Sequence, residues 1–289
     1  MAHADTGTAA RSGFMARLGD YSAEVTTPDR KSLDIAARLM PKHARVYVAA
    51  LPNDTPDRQL AVCREVRELG LIPVPHIVAR NIEDRAALDR LLGGLAREAG
   101  VDRALLLGGD RSEPAGEYHS SLQLIESGLL EAHGIGRIAI GCYPEGHPRI
   151  PAPDLHAALM AKVTAARSRK LELILISQLC FESKPIVDFL RRIRAEGITE
   201  RIRVGVAGPA KPSTLIRYAI ICGVGASLRA LRERQSLAGN LLSNTTPEQL
   251  VRELEAADAS DPSLNIWGIH FFTFASLADT VRWVESIQQ

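Results

Sequence analysis

The stretch GCYPEGHP, residues 141–148, sets Tyr143, Glu145 and His147 among two prolines and two glycines, straight after the apolar run RIAIGC. A stiff loop carrying a phenol, a carboxyl and an imidazole where an apolar run stops is a place for chemistry. Other reactive side chains sit at similar points. Glu24 interrupts SAEVT, His76 lies in VPHIV, Asp110 closes LLLGGD, Gln178 closes LELILISQ, and His270 stands among aromatics in GIHFFTF. Carboxyls and imidazoles exchange protons near neutral pH. A phenol and an amide orient a ligand by donating and accepting hydrogen bonds. Each residue also has a plain structural reading. Glu24 could be an outward strand acid in a salt bridge, GGD a turn or helix cap, and the two histidines satisfied core residues. Their joint position at the ends of apolar runs is what points to a site.

The elements that hold them alternate along the chain. Strand-like runs are read at 21–26, 45–51, 71–78, 104–110, 137–142, 171–178, 201–209 and 265–274. Between them the apolar spacing is helical, as in PDRQLAVCREVRELG with Gly70 as its stop and HSSLQLIESGLLEAHG. A longer helical insertion, GASLRALRERQSLAGNLL, precedes a helix opened by Thr246 and Pro247. Eight strands each followed by a helix predict one (β/α)8 TIM barrel, with residues 1–20 as a flexible leader and 21–289 as the barrel. An open doubly wound sheet is the alternative, but no GxGxxG follows the first strand. In a barrel the C-terminal strand ends form the reactive face, and the polar residues above fall there.

Composition narrows the classes. Thirty-five basic and 34 acidic residues give a net charge of +1, which argues against a nucleic-acid or membrane partner. Four scattered cysteines show no zinc spacing and no disulfide framework, so a reducing, cytoplasmic setting is expected. The first 20 residues lack the apolar core of a secretory signal.

The pieces SAEVTTP, VPHIV, LLLGGD, GCYPEGHP, ISQLCFE and GIHFFTF occur in one order over residues 21–274. In this the chain resembles the methylenetetrahydrofolate reductase family, flavin-dependent barrel enzymes of one-carbon metabolism. The resemblance implies roles. Glu24 matches the general acid that protonates N10 of 5,10-methylenetetrahydrofolate and opens its ring to an iminium, the hydride acceptor. Such an acid needs a raised pKa, which an apolar barrel mouth favours. Gln178 matches the amide that bonds the pterin. Asp110 matches an acid near the flavin that also influences folate binding. His76, Gly109, Asp110, Tyr143, His147 and Lys162 fall at positions that hold FAD, and Glu145 braces the loop. Hydride would come from NADH or NADPH, pass through FAD and leave on 5-methyltetrahydrofolate.

The chain also departs from the family. Val25 and Thr26 stand where two aromatics are usual, Gly108 where an arginine is usual, and Leu179 and Cys180 before Phe181 where a phenylalanine run is usual. Ala158 and Ala161 replace polar residues before Lys162, and the segment 221–242 is unlike the better-known members. Two variants stay open for the flavin: FAD held by other contacts, or direct hydride transfer from NAD(P)H to the folate. A non-catalytic folate-binding module serving a methyltransferase is a further reading, in which Glu24 would be superfluous. An aldolase would want a strand-end lysine or metal cluster, and neither stands out. The insertion helix offers a surface for a homo-oligomer.

Overall fold

In the computed structural model, residues 20–51, 54–224 and 246–288 are described. Eight parallel strands close on one another in chain order, each bonded to the next and β8 to β1. They are β1 (Ser22–Val25), β2 (Arg45–Val48), β3 (Ile72–Val78), β4 (Arg103–Leu107), β5 (Arg137–Cys142), β6 (Glu172–Ser177), β7 (Arg201–Ala207) and β8 (Ile266–Phe272). Outside them run α1 (Leu33–Leu39), α2 (Pro56–Glu68), α3 (Arg85–Ala99), α4 (Ser121–Glu126), α5 (Leu129–Ala132), α6 (Ala152–Ser168), α7 (Ser183–Ala195), α8 (Pro212–Cys222), α9 (Glu248–Ser260) and α10 (Leu277–Gln288). The expected (β/α)8 barrel is the observed fold.

Side chains alternate across each strand. Outward residues such as Val46, Val48, Leu106 and Ile140 join helix residues such as Val62, Leu88 and Leu92 in the main core. Inward residues Tyr47, Val74, Leu105, Ala139 and Ile176 form a smaller core inside the barrel. The N-terminal floor is polar. Asp20 pairs with Arg45 at 2.7 Å and with fully buried Arg203 at 2.9 Å. Both guanidiniums lie over the Trp267 ring, 4.5 and 4.4 Å from its centre. Asp20, expected as the end of the leader, is therefore part of the barrel. The rest of the leader and the insertion from residue 225 to 242 lie outside the described residues.

Some boundaries differ from the sequence reading. The single helix expected over 119–134 is two short ones, because Gly128 takes a left-handed backbone (φ 76°) between α4 and α5. Ser120 and Gln123 form a capping box at its start. Strand β4 stops at Leu107, so Gly108, Gly109 and Asp110 form the loop beyond it. Among the described residues no helix is long and apolar enough to cross a membrane.

Candidate functional site

Register brings β1 and β8 together so that Ser22 pairs with His270. The inward face of β1 then presents Ser22 and, one inward position later, Glu24. Glu24 Oε1 lies 3.5 Å from His270 Nε2 and 3.6 Å from His76 Nε2 on β3. The Glu24 side chain is 16% exposed, and that of His270 not at all. Ser22 Oγ is 3.0 Å from the far nitrogen of His270, Nδ1. Tyr47 meets the His270 ring edge-on at 4.5 Å, and Phe272 meets it at 5.2 Å.

These surroundings correct one expectation. Burial drives the Glu24 carboxyl upward, but the His270 contact and the charges of His76 and His270 outweigh it, so its pKa lies below the ordinary glutamate value. The mouth around Glu24 is lined by imidazoles rather than by apolar groups alone. His76 is held below the usual imidazole value, mainly by burial, with Glu24 pulling it up and His270 pushing it down.

A second feature is a cleft of about 930 Å³ over the ends of β4, β5 and β6 and along α6. Gly109, Asp110, Tyr143, His147, Lys162 and Gln178 all line it, as does Glu145. His76 does not. The structure sets it against Glu24, away from the expected cofactor contacts, because its position on β3 points it into the barrel.

The cleft wall is braced. Gly109 has φ 103°, and a Cβ there would stand 2.5 Å from Val78 Cγ1, so the loop needs glycine. Asp110 pairs with Arg149 at 2.9 Å, and the Arg149 amide donates to His147 Nδ1 at 3.2 Å. Tyr143 and His147 pack edge to face at 5.4 Å. Burial pushes the Tyr143 phenol up, while burial and then the Arg149 charge push His147 down, so both are neutral groups at pH 7. Glu145 bonds the buried Cys180 thiol, in keeping with a bracing role. Lys162 is pushed down by burial. Arg80 and Arg192 add further cations to the wall.

Gln178 lines the cleft at the end of β6. Its Oε1 accepts from the Leu179 amide at 2.8 Å, which leaves the NH2 group for a ligand. A Cβ on Gly205 would overlap the Ser177 carbonyl oxygen and the Phe272 ring, and would stand 3.3 Å from the Gln178 carbonyl oxygen. Phe272 meets His270, and His270 faces Glu24, so these three are in sequence along the barrel mouth.

The cleft's cations, its apolar Leu107, Leu155 and Leu159, and the Tyr143 ring suit an elongated anion with a flat ring, as a dinucleotide is. Ala158 offers that ligand no polar atom, and Gly108 leaves open space around its Cα. Among the described residues no group of three or more His, Cys, Asp or Glu is placed to hold a metal ion.

Sequence reading missed Ser22, Phe272, Arg80 and Arg192. Ser22 had a signal: it shares an inward strand face with Glu24 at a spacing of two. The arginines had none: Arg80 lies just past β3 and Arg192 on α7, and no spacing along the chain shows that either reaches the cleft.

No family model matches the chain. Among solved structures it is similar to dihydropteroate synthase from Thermus thermophilus, with 14% identity, a TM-score of 0.49, and 93% of this chain and 92% of that one covered. At that identity and score nothing is carried from that protein to this chain.

Proposed function

We propose that this protein reduces 5,10-methylenetetrahydrofolate to 5-methyltetrahydrofolate with hydride from NADH or NADPH, relayed by FAD in the cleft. The observation that carries the reading is a partly buried carboxyl, Glu24, 3.5 and 3.6 Å from two imidazoles inside the barrel, whose C-terminal strand ends also carry a cleft lined by Gln178 and several cations. The six ordered sequence pieces point the same way.

The residues divide the work. Lys162 and Arg192 would neutralise the cofactor phosphates, with Arg149 shared between them and Asp110, and Tyr143 and His147 would line the cofactor. When bound there, FAD would supply a two-electron carrier between nicotinamide and folate. Gln178 donates to the pterin through its amide. Glu24 supplies the proton at N10 that opens the folate ring, and Phe272 and Tyr47 keep water from the carboxyl.

Lys162→Met separates binding from stability. A lysine pushed down by burial is penalised as a cation in the folded state at every pH below its folded value. The substitution removes that penalty, so the melting temperature of cofactor-free protein at pH 7 should not fall. FAD affinity should fall about tenfold, the loss of roughly 1.4 kcal/mol of charge pairing. Differential scanning fluorimetry and a FAD titration check the two halves.

Ala158 and the open space at Gly108 favour one second reading, direct transfer from NAD(P)H to the folate without a flavin. Anaerobic stopped-flow absorbance distinguishes them. Under the relay, protein with FAD shows a flavin band that NADH bleaches and methylenetetrahydrofolate restores. Turnover by colourless protein, unaffected by added FAD, overturns the relay and leaves the direct route.

A further inference from the structure

Both imidazoles beside Glu24 approach the same oxygen, Oε1. Neither Nε2 has a hydrogen-bond partner within strict geometry, although both rings are more than nine-tenths buried. At 3.5 and 3.6 Å each stands just outside bonding distance, and a small turn of the carboxyl closes either contact.

The two rings differ on their far sides. His270 Nδ1 is fixed by Ser22 Oγ at 3.0 Å, and the same hydroxyl reaches the Ile269 carbonyl oxygen at 3.5 Å. A hydroxyl has one proton. Given to Ile269, it leaves Ser22 Oγ as acceptor for an Nδ1–H of His270. In that arrangement a neutral His270 would turn its Nε2 lone pair toward the Glu24 carboxylate, and a proton placed between them would turn that contact into a hydrogen bond. Other groups face this cluster. Tyr47 packs on both rings from β2, with its phenol pushed up by burial. Arg203 lies on the inward face of β7 and is paired with Asp20. Cys222, at the end of α8, feels the Glu24 charge and is pushed up to about 11, chiefly by burial.

We propose that His270, oriented by Ser22, is a positioning residue that stores the proton Glu24 delivers, while His76 stays neutral and closes the other side of the carboxyl. This rests on the reductase reading. The step balances. The Nε2–H bond of His270 breaks as an O–H bond forms on Glu24. That proton passes to N10 of the folate as the N10–methylene bond opens and its electron pair stays on nitrogen. His270 regains a proton from solvent after product leaves.

Two measurements on the full chain test it. In 15N-histidine NMR of the native protein, His270 should carry protons on both nitrogens at pH 7 and lose one in Glu24→Gln, with His76 neutral in both. In steady-state assays His270→Asn, which keeps a donor toward Ser22, should lower kcat roughly tenfold or more on the alkaline side of the profile. It should leave KM and the acidic side near native values, and Ser22→Ala should move the profile the same way by less. A neutral native His270, or a His270→Asn profile that superimposes on the native one, overturns the proposal. A doubly protonated His270 that depends on Glu24, in a protein without folate reduction, supports the proton store and overturns the reductase reading alone.

Discussion

Glu24→Gln lowers the rate of methylenetetrahydrofolate reduction by roughly 100- to 10,000-fold, the usual worth of a placed general acid. It leaves bleaching of the flavin by NADH unchanged, because that step needs no proton at the folate. The amide keeps the shape of the side chain and removes only its ability to deliver a proton. Rapid-mixing kinetics of the two half-reactions measure both effects. The substitution also has a sign in stability. The folded carboxyl has a lowered pKa, so it contributes stability above its unfolded value, and that contribution disappears as pH falls through the folded value. Glu24→Gln should therefore flatten the acid limb of the stability profile. Unchanged folate turnover would remove Glu24 as the acid.

Gly205→Ala has the largest expected effect on the scaffold. The new methyl group would overlap the Ser177 carbonyl oxygen, which is backbone and cannot swing aside, and the ring of Phe272. Overpacking of this kind costs about 1–3 kcal/mol. The Gly205 amide also donates to Ser177 Oγ at 2.8 Å, so any shift of β7 pulls on the strand end that carries Gln178. The denaturation midpoint should fall, and folate turnover should fall further than stability alone explains, since the Phe272 ring packs on His270. Gly108→Ala is the control. No atom lies within 4 Å of the added Cβ, and its backbone is not left-handed, so stability should be unchanged. Chemical denaturation of the three proteins at one pH decides it. Equal midpoints for Gly205→Ala and the native chain would contradict the packing described for the mouth.

The barrel was legible because its signals are local. Apolar runs of strand length alternate with helical spacing, and the cleft residues Asp110, Tyr143, His147 and Gln178 follow directly from strand ends. Lys162 was found through the resemblance and does face the cleft. What stayed hidden depends on register and closure. That Ser22 lies beside His270 follows only from the pairing of the first strand with the last, at the far end of the chain. His76 sits with Glu24 because β3 faces it inward across the mouth, which no spacing along the chain reveals. The lowered pKa of Glu24 follows from the same closure, as does the pairing of Asp20 with Arg203 across the floor. The break at Gly128 was a local signal, a glycine between two short apolar groups, that the helical periodicity on either side concealed.

The most direct test is chromatographic identification of the product after anaerobic incubation of the purified protein with methylenetetrahydrofolate, NADH or NADPH, and FAD. Stoichiometric 5-methyltetrahydrofolate for nicotinamide oxidised is expected, with nearly all of it lost in Glu24→Gln. Unchanged methylenetetrahydrofolate with either nicotinamide, in protein that is folded and binds folate, would contradict the reductase reading.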